Sequence, residues 1–261
     1  MFVGPIYFAV ILLSCIAGSV VGLGGGLFFR PILDAAGFHD VMNVGFFSSS
    51  AILAMTAVST AKRIRDGMRV DLRLAPIIAL GAVLGGTLGN LVLGRLLAVF
   101  PEAASPAVRY IQIAATLAVL TVSLAFTGKS GTVPRPRNPI LIAGLGVLLG
   151  TVSTFLGIGG GPLNVPVFMI FFGLAIKEAI AYSLMLILVS HLSRIVTLGL
   201  AVSLQSLDLA VLPYVLTAAA VGGFVGTKLN GIFSEATVRR LFRIALCVVM
   251  LLNIVNGLFL L

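Results

Sequence analysis

Two glycine-rich runs are the residues of this chain best suited to binding a ligand. Residues 22–26 are GLGGG, followed by Pro31, and residues 157–161 are GIGGG, followed by Pro166. Glycine tolerates left-handed backbone and lets the main chain approach a ligand closely. A helix that restarts after such a break has unpaired N–H groups and about half a positive charge at its first turn. The runs therefore predict two backbone sites for an anion.

Glycines in these positions can also serve packing or nucleotide binding. A dinucleotide-binding fingerprint is disfavoured, because no strand precedes either run and no Lys-Ser/Thr pair follows it. Close packing of helices through small residues is the alternative for the runs, and it is the preferred role for six further glycines. These are Gly85, Gly86, Gly89, Gly222, Gly223 and Gly226.

The composition indicates where these runs lie. Of 261 residues, 59% are hydrophobic and 10% are charged, against about 25% charged in soluble proteins. A soluble domain is excluded on that ground, and two cysteines exclude a disulfide scaffold. The chain is long enough for about eight crossings of a bilayer. We therefore expect an all-α polytopic membrane protein.

The chain is predicted to be an internal duplication. The second glycine run follows the first at an offset of 135 residues, and a Lys/Arg/Pro/Gly-rich linker lies between the halves. Each half is expected to contain a broken, glycine-tipped hairpin and three crossings, which makes the two repeats inverted and is typical of transporters. The predicted ranges are 1–128 for the first repeat (hairpin 5–37, crossings 44–61, 72–94 and 107–127), 129–137 for a cytoplasmic linker, and 138–261 for the second repeat (hairpin 139–173, crossings 178–199, 207–228 and 237–260).

The distribution of Lys and Arg supports the hairpins. If the two glycine-interrupted segments turn back at the glycines, with the N-terminus outside, then 13 of the 17 basic residues fall on one side. Simple crossings throughout would divide the basic residues evenly, which the positive-inside rule disfavours. We expect both termini outside a bacterial-type inner membrane. The net charge of +9 is then explained by anionic lipid, and nucleic acid is not expected as a partner.

Polar residues near the runs are candidates for the site, since charges inside a membrane are usually functional. Arg30 would attract an anion or extend to the interface, Asn164 would bind the anion or cap a helix, and His191 with Arg194 would serve the site or an outer-interface pair. Serine hydroxyls would line the site or bond to their own helix. Asp71 and Asp208, which begin equivalent crossings, are predicted to be helix N-caps. The predicted substrate-binding set is Gly24, Gly25, Gly26, Arg30, Ser48, Ser49, Gly159, Gly160, Gly161, Asn164, Ser183, His191 and Arg194.

These motifs resemble the sulfite exporter TauE/SafE family, also called the toluene-sulfonate uptake permease family. The resemblance lies in the two glycine runs, in Val165-Pro166 after the second run, and in Gly67 followed by Asp71, and it covers essentially the whole chain. The first run departs from the pattern, because Arg30 precedes Pro31 where an apolar residue is common. The resemblance implies transport of small sulfur-containing anions such as sulfite or sulfonates.

The sequence therefore predicts a transporter that holds its anion near the bilayer midplane between the two glycine tips and works by alternating access. An anion channel through the same pore is the first alternative. An intramembrane enzyme using Ser183 or Ser193 with His191 is the weakest, because no G-x-S-x-G elbow is present. No catalytic residue, metal or cofactor is expected. Besides substrate and lipid, a second copy of the chain in a homodimer is left open.

Overall fold

The structure is a computed structural model that describes residues 3–68, 71, 74–99, 104–127, 138–156, 161–201 and 208–258. Within these ranges all regular structure is α-helical, as predicted. The helices are α1 (Val3–Val21), α2 (Gly26–Ala36), α3 (Val41–Arg65), α4 (Leu74–Val99), α5 (Ala104–Phe126), α6 (Pro139–Leu156), α7 (Gly161–Phe171), α8 (Ile176–Ala201), α9 (Leu212–Ile232) and α10 (Glu235–Leu258).

Among the described residues, six helices are long and apolar enough to cross a membrane. They are α1, α3, α4, α6, α8 and α9. Large apolar side chains lie on the outside of the bundle: Ile140 is 79% exposed, and Leu13 and Leu80 are each 67% exposed. Such a surface is unfavourable in water and suits contact with lipid. The predicted class, an all-α polytopic membrane protein, is confirmed.

The first glycine run forms a sharp reversal between α1 and α2. Gly22 has φ +74° and Gly24 has φ +75°, which is left-handed backbone that glycine adopts at little cost. The eleven residues of α2 then return toward the start of the chain. The Tyr7 hydroxyl and His39 Nδ1 lie 2.9 Å apart, so the end of the returning arm contacts the beginning of α1. Helices α1 and α2 therefore form a hairpin with glycines at its tip, and the place of this hairpin in a repeat stays a prediction.

The bundle has two ends that interhelical hydrogen bonds define. At the end that we call the His39 end, His39 contacts both Tyr7 and Asp208. At the opposite end, which we call the Arg63 end, Arg63 donates to Asn230 and Lys177 donates to the Gly231 carbonyl. Because helices run between these ends, basic residues of α3, α8 and α10 are gathered at the Arg63 end.

Glycines join α4 to α6 by direct contact of their backbones. A Cβ at Gly85 would overlap the Val147 carbonyl, and a Cβ at Gly150 would overlap the Ala82 carbonyl. Gly222 and Gly226 of α9 fit against α1 in the same way. The expected packing role is confirmed for Gly85, Gly222 and Gly226. Gly86 is less crowded, since the nearest neighbour of a Cβ at this position would be Thr154 Oγ1, at 3.3 Å.

Candidate functional site

The first turn of α2 is a helix start enclosed by other helices. Gly25 stands at its N-cap and no side chain caps the turn. Side chains have no room there, because a Cβ at Gly25 would lie 2.8 Å from Cys15 Sγ and one at Gly26 would overlap Ile52. Glycine is therefore required at both positions for packing as well as for any approach of a ligand to the backbone.

The start of α7 touches the first tip. Gly161, the first residue of α7, lies so close to Leu23 that a Cβ at Gly161 would overlap the Leu23 backbone. Gly159 and Gly160, two predicted members of the site, lie outside the described residues. Gly161, Gly24, Gly25 and Gly26 are nevertheless brought into one region, where the starts of α2 and α7 meet.

One face of α8 lines the first tip. The Ser183 hydroxyl donates to the Gly22 carbonyl at 2.9 Å. One turn further along, Ile187 Cδ1 would lie 3.7 Å from a Cβ at Gly24. Residues three and four apart share a helix face, so this face continues to His191. Ser183 is thus a contact of the tip, and its role in lining a substrate site stays a prediction.

The two candidate serines of α3 behave differently. A Cβ at Gly26 would lie 3.5 Å from Ser48 Oγ, so this hydroxyl lies beside the first turn of α2. Ser49 Oγ instead donates to the Gly45 carbonyl of its own helix at 2.9 Å. Both side chains are buried. Ser48 is therefore the better placed of the two to reach an anion at the tip.

Arg30, His191 and Arg194 form a group that we call the cationic group. The charges of Arg194 and Arg30 both act on the His191 ring, and Arg30 also acts on Arg194. His191 is buried, and within the described ranges its Nδ1 has no hydrogen-bond partner. Arg30 also faces Asp34 at 3.7 Å, one turn along α2. The group places positive charge between the first tip and the His39 end.

Asn164 lies on the first turns of α7 and is 2% exposed. In the part of the chain that the structure describes, its side-chain oxygen has no hydrogen-bond partner. A buried amide oxygen without a partner is costly, which marks a place where a ligand or water is expected. The role of Asn164 as a ligand of the anion stays a prediction.

A contact that sequence reasoning missed closes the His39 end. His39 Nε2 lies 3.2 Å from Asp208 Oδ2, while His39 Nδ1 faces Tyr7. The N-cap of α9 is Val211, so Asp208 precedes that helix without occupying its cap. The prediction that Asp208 is a helix N-cap is therefore wrong. The Ala210 N–H donates to Asp208, and this bond, followed by the contact with His39, lowers the pKa of the carboxyl. His39 and Asp208 are far apart in the sequence, so no local pattern could have paired them.

The fold defines a helical membrane protein in which two glycine-preceded half-helices meet inside the bundle. The sequence matches the profile of the family described as sulfite exporter TauE/SafE over residues 7–252. The chain belongs to this family and is therefore an integral membrane transport protein. Comparison with curated proteins gave no significant match, and neither did comparison with solved structures.

Proposed function

We propose that the protein transports a small sulfur-containing anion, sulfite or a sulfonate, by alternating access. The observation that carries the proposal is the meeting of the two tips, where Gly161 lies against Leu23. Two helix starts directed at one region concentrate N–H donors and positive dipole ends there. A small oxyanion bound between them would be held mainly by the backbone, near the middle of the bilayer.

The cationic group supports an anion as the substrate. Positive charge in a low-dielectric surrounding raises the local concentration of anions. Arg30 is only partly neutralised by Asp34, because the two lie 3.7 Å apart and their side chains are 34% and 43% exposed. An anion arriving from the His39 end would meet this group before it reached the tip.

The pairing of helices supports an inverted repeat. α4 of the first half packs on α6 of the second half, and α9 of the second half packs on α1 of the first half. Since α4 corresponds to α9 and α1 to α6 in the predicted repeats, these are equivalent pairs. α3 and α8 pack on each other between these pairs. The first hairpin starts at the His39 end. In contrast, α6 runs parallel to α4, because Gly81, Gly85 and Gly89 face Gly146, Val147 and Thr151 in turn. Since α4 follows Asp71, whose N–H donates to Tyr182 at the Arg63 end, α6 also starts at that end. Such pairs rock against each other around a central site in known transporter architectures.

The concentration of basic residues supports an orientation. The Arg63 end gathers Arg63, Lys177 and Arg239 in interhelical bonds. Because loops rich in Lys and Arg face the cytoplasm, we place the Arg63 end inside and the His39 end, with both termini, outside an inner membrane.

An enzyme is less well supported than a transporter. A serine nucleophile needs a base within hydrogen-bond reach. The Ser183 hydroxyl donates to the Gly22 carbonyl and not to His191. That bond favours a structural or binding role for Ser183.

Purified protein in liposomes separates a carrier from a channel. Liposomes loaded with unlabelled sulfite are diluted into a trace of labelled sulfite, and sulfate, thiosulfate and organosulfonates are compared. A carrier accumulates label transiently by exchange. A binding site that releases unlabelled sulfite outside can return to the inside with labelled sulfite bound. Equal potassium on both sides with valinomycin holds the membrane potential at zero. Under that condition a channel has no potential to drive labelled sulfite inward and would show no accumulation, whereas exchange by a carrier persists. Absence of flux for every sulfur anion in the panel would refute the proposed substrate class.

A further inference from the structure

A cavity of about 660 Å³ lies at the Arg63 end, on the side opposite the cationic group. Its lining includes Arg63, Lys177, Tyr182, Thr227, Asn230 and Gly231. These residues come from α3, α8 and α9, so the cavity lies where the two halves of the chain meet. None of them belongs to the predicted substrate site.

Arg63 lines the cavity, and not all of its N–H groups donate to a partner among the described residues. Its Nη1 donates to Asn230 Oδ1 at 3.1 Å and its Nη2 donates to the Ser19 carbonyl at 3.4 Å. Its Nε is buried, and within the described ranges it has no partner. Guanidinium groups match oxyanions in shape and charge, and a buried unpaired N–H is costly. An oxyanion in the cavity would satisfy it.

Two further donors line the same space. The Tyr182 oxygen accepts from the Asp71 N–H at 2.9 Å, which leaves its own O–H proton to donate. The Lys177 ammonium donates to the Gly231 carbonyl at 3.1 Å and has two more N–H bonds. Three separate side chains can therefore converge on one small anion.

Three carboxylates, Asp66, Asp71 and Glu178, also line the cavity. Asp66 pairs with Lys62 at 2.8 Å. Asp71 accepts from the Leu74 N–H and so caps α4, as predicted. Glu178 is exposed on the first turn of α8. Among the described residues neither Arg63 nor Lys177 forms an ion pair with a carboxylate, and Asp66 acts on Arg63 only at longer range. The buried Arg63 Nε without a partner is therefore the feature of this lining that favours an oxyanion.

Polar groups lead from this cavity to the first glycine tip. Asn230 Nδ2 donates to the Val20 carbonyl, two residues before Gly22. Thr227 Oγ1 lies 3.0 Å from Ser19 Oγ, which in turn lies 2.9 Å from Ser59 Oγ. The cavity is therefore separated from the tip by the last turn of α1, and its polar wall is continuous with that turn.

We propose that this cavity is a second anion site, which binds an alkylsulfonate or sulfite on the Arg63 side of the tips through Arg63, Lys177 and Tyr182. It serves as the vestibule in which the anion is held before or after it passes the tips. The chemical class of the anion rests on the proposed function, whereas the existence of the site rests on the cavity and its donors.

Cysteine labelling tests the site without any transport measurement. A cysteine fits at Gly231, because a Cβ there meets nothing within 4 Å. In purified protein with Cys15 and Cys247 replaced by alanine, Gly231→Cys is labelled with sulfonatoethyl methanethiosulfonate, itself an alkylsulfonate, and with the cationic trimethylammonioethyl reagent. Ala236→Cys, exposed on α10, is the reference.

The ratio of anionic to cationic labelling rates should be about fivefold or more higher at Gly231→Cys than at Ala236→Cys. Arg63→Gln should bring the ratio down to the reference, whereas Arg65→Gln, exposed on the same helix, should leave it unchanged. Methanesulfonate should slow labelling in the parent and not in Arg63→Gln.

Arg63 also joins three helices, so melting temperatures are measured for every variant. If Arg63→Gln does not fold, Lys177→Gln replaces it, with the same expected direction. Equal ratios at the two cysteines, or a ratio that neither substitution changes, would overturn the second site. Failure of the proposed function would appear separately, as absence of sulfur-anion flux in liposomes of the unmodified chain.

Discussion

Gly161 and Leu23 are in backbone contact, although they belong to different halves of the chain. No side chain fits between them, so the start of α7 rests on the middle of the first glycine run. A displacement of α7 would therefore have to move or release the first tip. In the proposed alternating access, this contact would couple the two halves of the chain directly.

The first prediction concerns Gly24, where a side chain would have space but would require an unfavourable backbone conformation. A side chain there would meet Ile187 only at ordinary contact distance, but φ is +75°. Gly24→Leu should cost about 1–2 kcal/mol through left-handed backbone and should abolish substrate binding by covering the tip. Isothermal titration with sulfite and a melting curve measure the two effects.

Gly85→Leu is the matched control for Gly24→Leu. Its side chain would overlap the Val147 carbonyl and separate α4 from α6. Yield and melting temperature should therefore fall before affinity does. If Gly24→Leu binds with unchanged affinity, the tip is a packed turn and the site lies elsewhere.

The second prediction concerns Arg30. If it attracts the anion, Arg30→Gln should raise the dissociation constant several-fold to about tenfold, since about 1.4 kcal/mol corresponds to a factor of ten. Arg95→Gln, exposed on α4, should change it little. Asp34→Asn should tighten binding, because it removes the carboxylate that faces Arg30 at 3.7 Å. Equal effects of Arg30→Gln and Arg95→Gln would reduce Arg30 to a general surface charge.

The third prediction separates two serines by what their hydroxyls bind. Ser183→Ala removes the donor to the Gly22 carbonyl and should cost about 1 kcal/mol of stability. It should also weaken binding, because the tip loses a fixed contact. Ser49→Ala removes only a bond within α3 and should leave affinity unchanged. Dissociation constants for the pair of variants provide the check, and an identical loss in both would argue against a role at the tip.

The fourth prediction concerns acid stability at the His39 end. The pKa of Asp208 is lowered, first by the Ala210 N–H and then by His39. Its stabilising contribution is therefore complete above the ordinary carboxyl pKa of about 4 and is lost as pH falls through the lowered value. Melting temperatures between pH 7 and pH 3 should fall less steeply for Asp208→Asn than for the parent. His39→Gln should retain most of the slope, since the backbone bond remains.

The fifth prediction is topological. Ala236→Cys at the Arg63 end should be labelled from the cytoplasm, and Phe38→Cys, which replaces an exposed residue beside His39, should be labelled from outside. An impermeant maleimide applied to intact cells and to inverted vesicles distinguishes the two faces. Labelling of both positions from one side would contradict the proposed orientation.

The fold class and the first hairpin could be predicted because each depends on local signals. Apolar runs set the helices, and residues 22–26 required a break that left-handed glycines supply. The contact of His39 with Asp208 and the cavity around Arg63 depend on how distant helices pack. Sequence spacing carries no information on contacts between distant helices. From the local pattern alone, only a helix cap at Asp208 and a basic loop near Arg63 could be predicted.

The glycine contacts between α4 and α6 also limit which movements are open to the protein. A Cβ at Gly81 or at Gly146 would overlap the backbone of the other helix, so the two backbones are in direct contact. Neither helix can therefore slide past the other without collision. In the proposed alternating access, we therefore expect the α4–α6 pair to move as one rigid body and the α1–α9 pair as another. The hinge or shear would then lie along α3 and α8, which pack on each other and carry the serines beside the first tip.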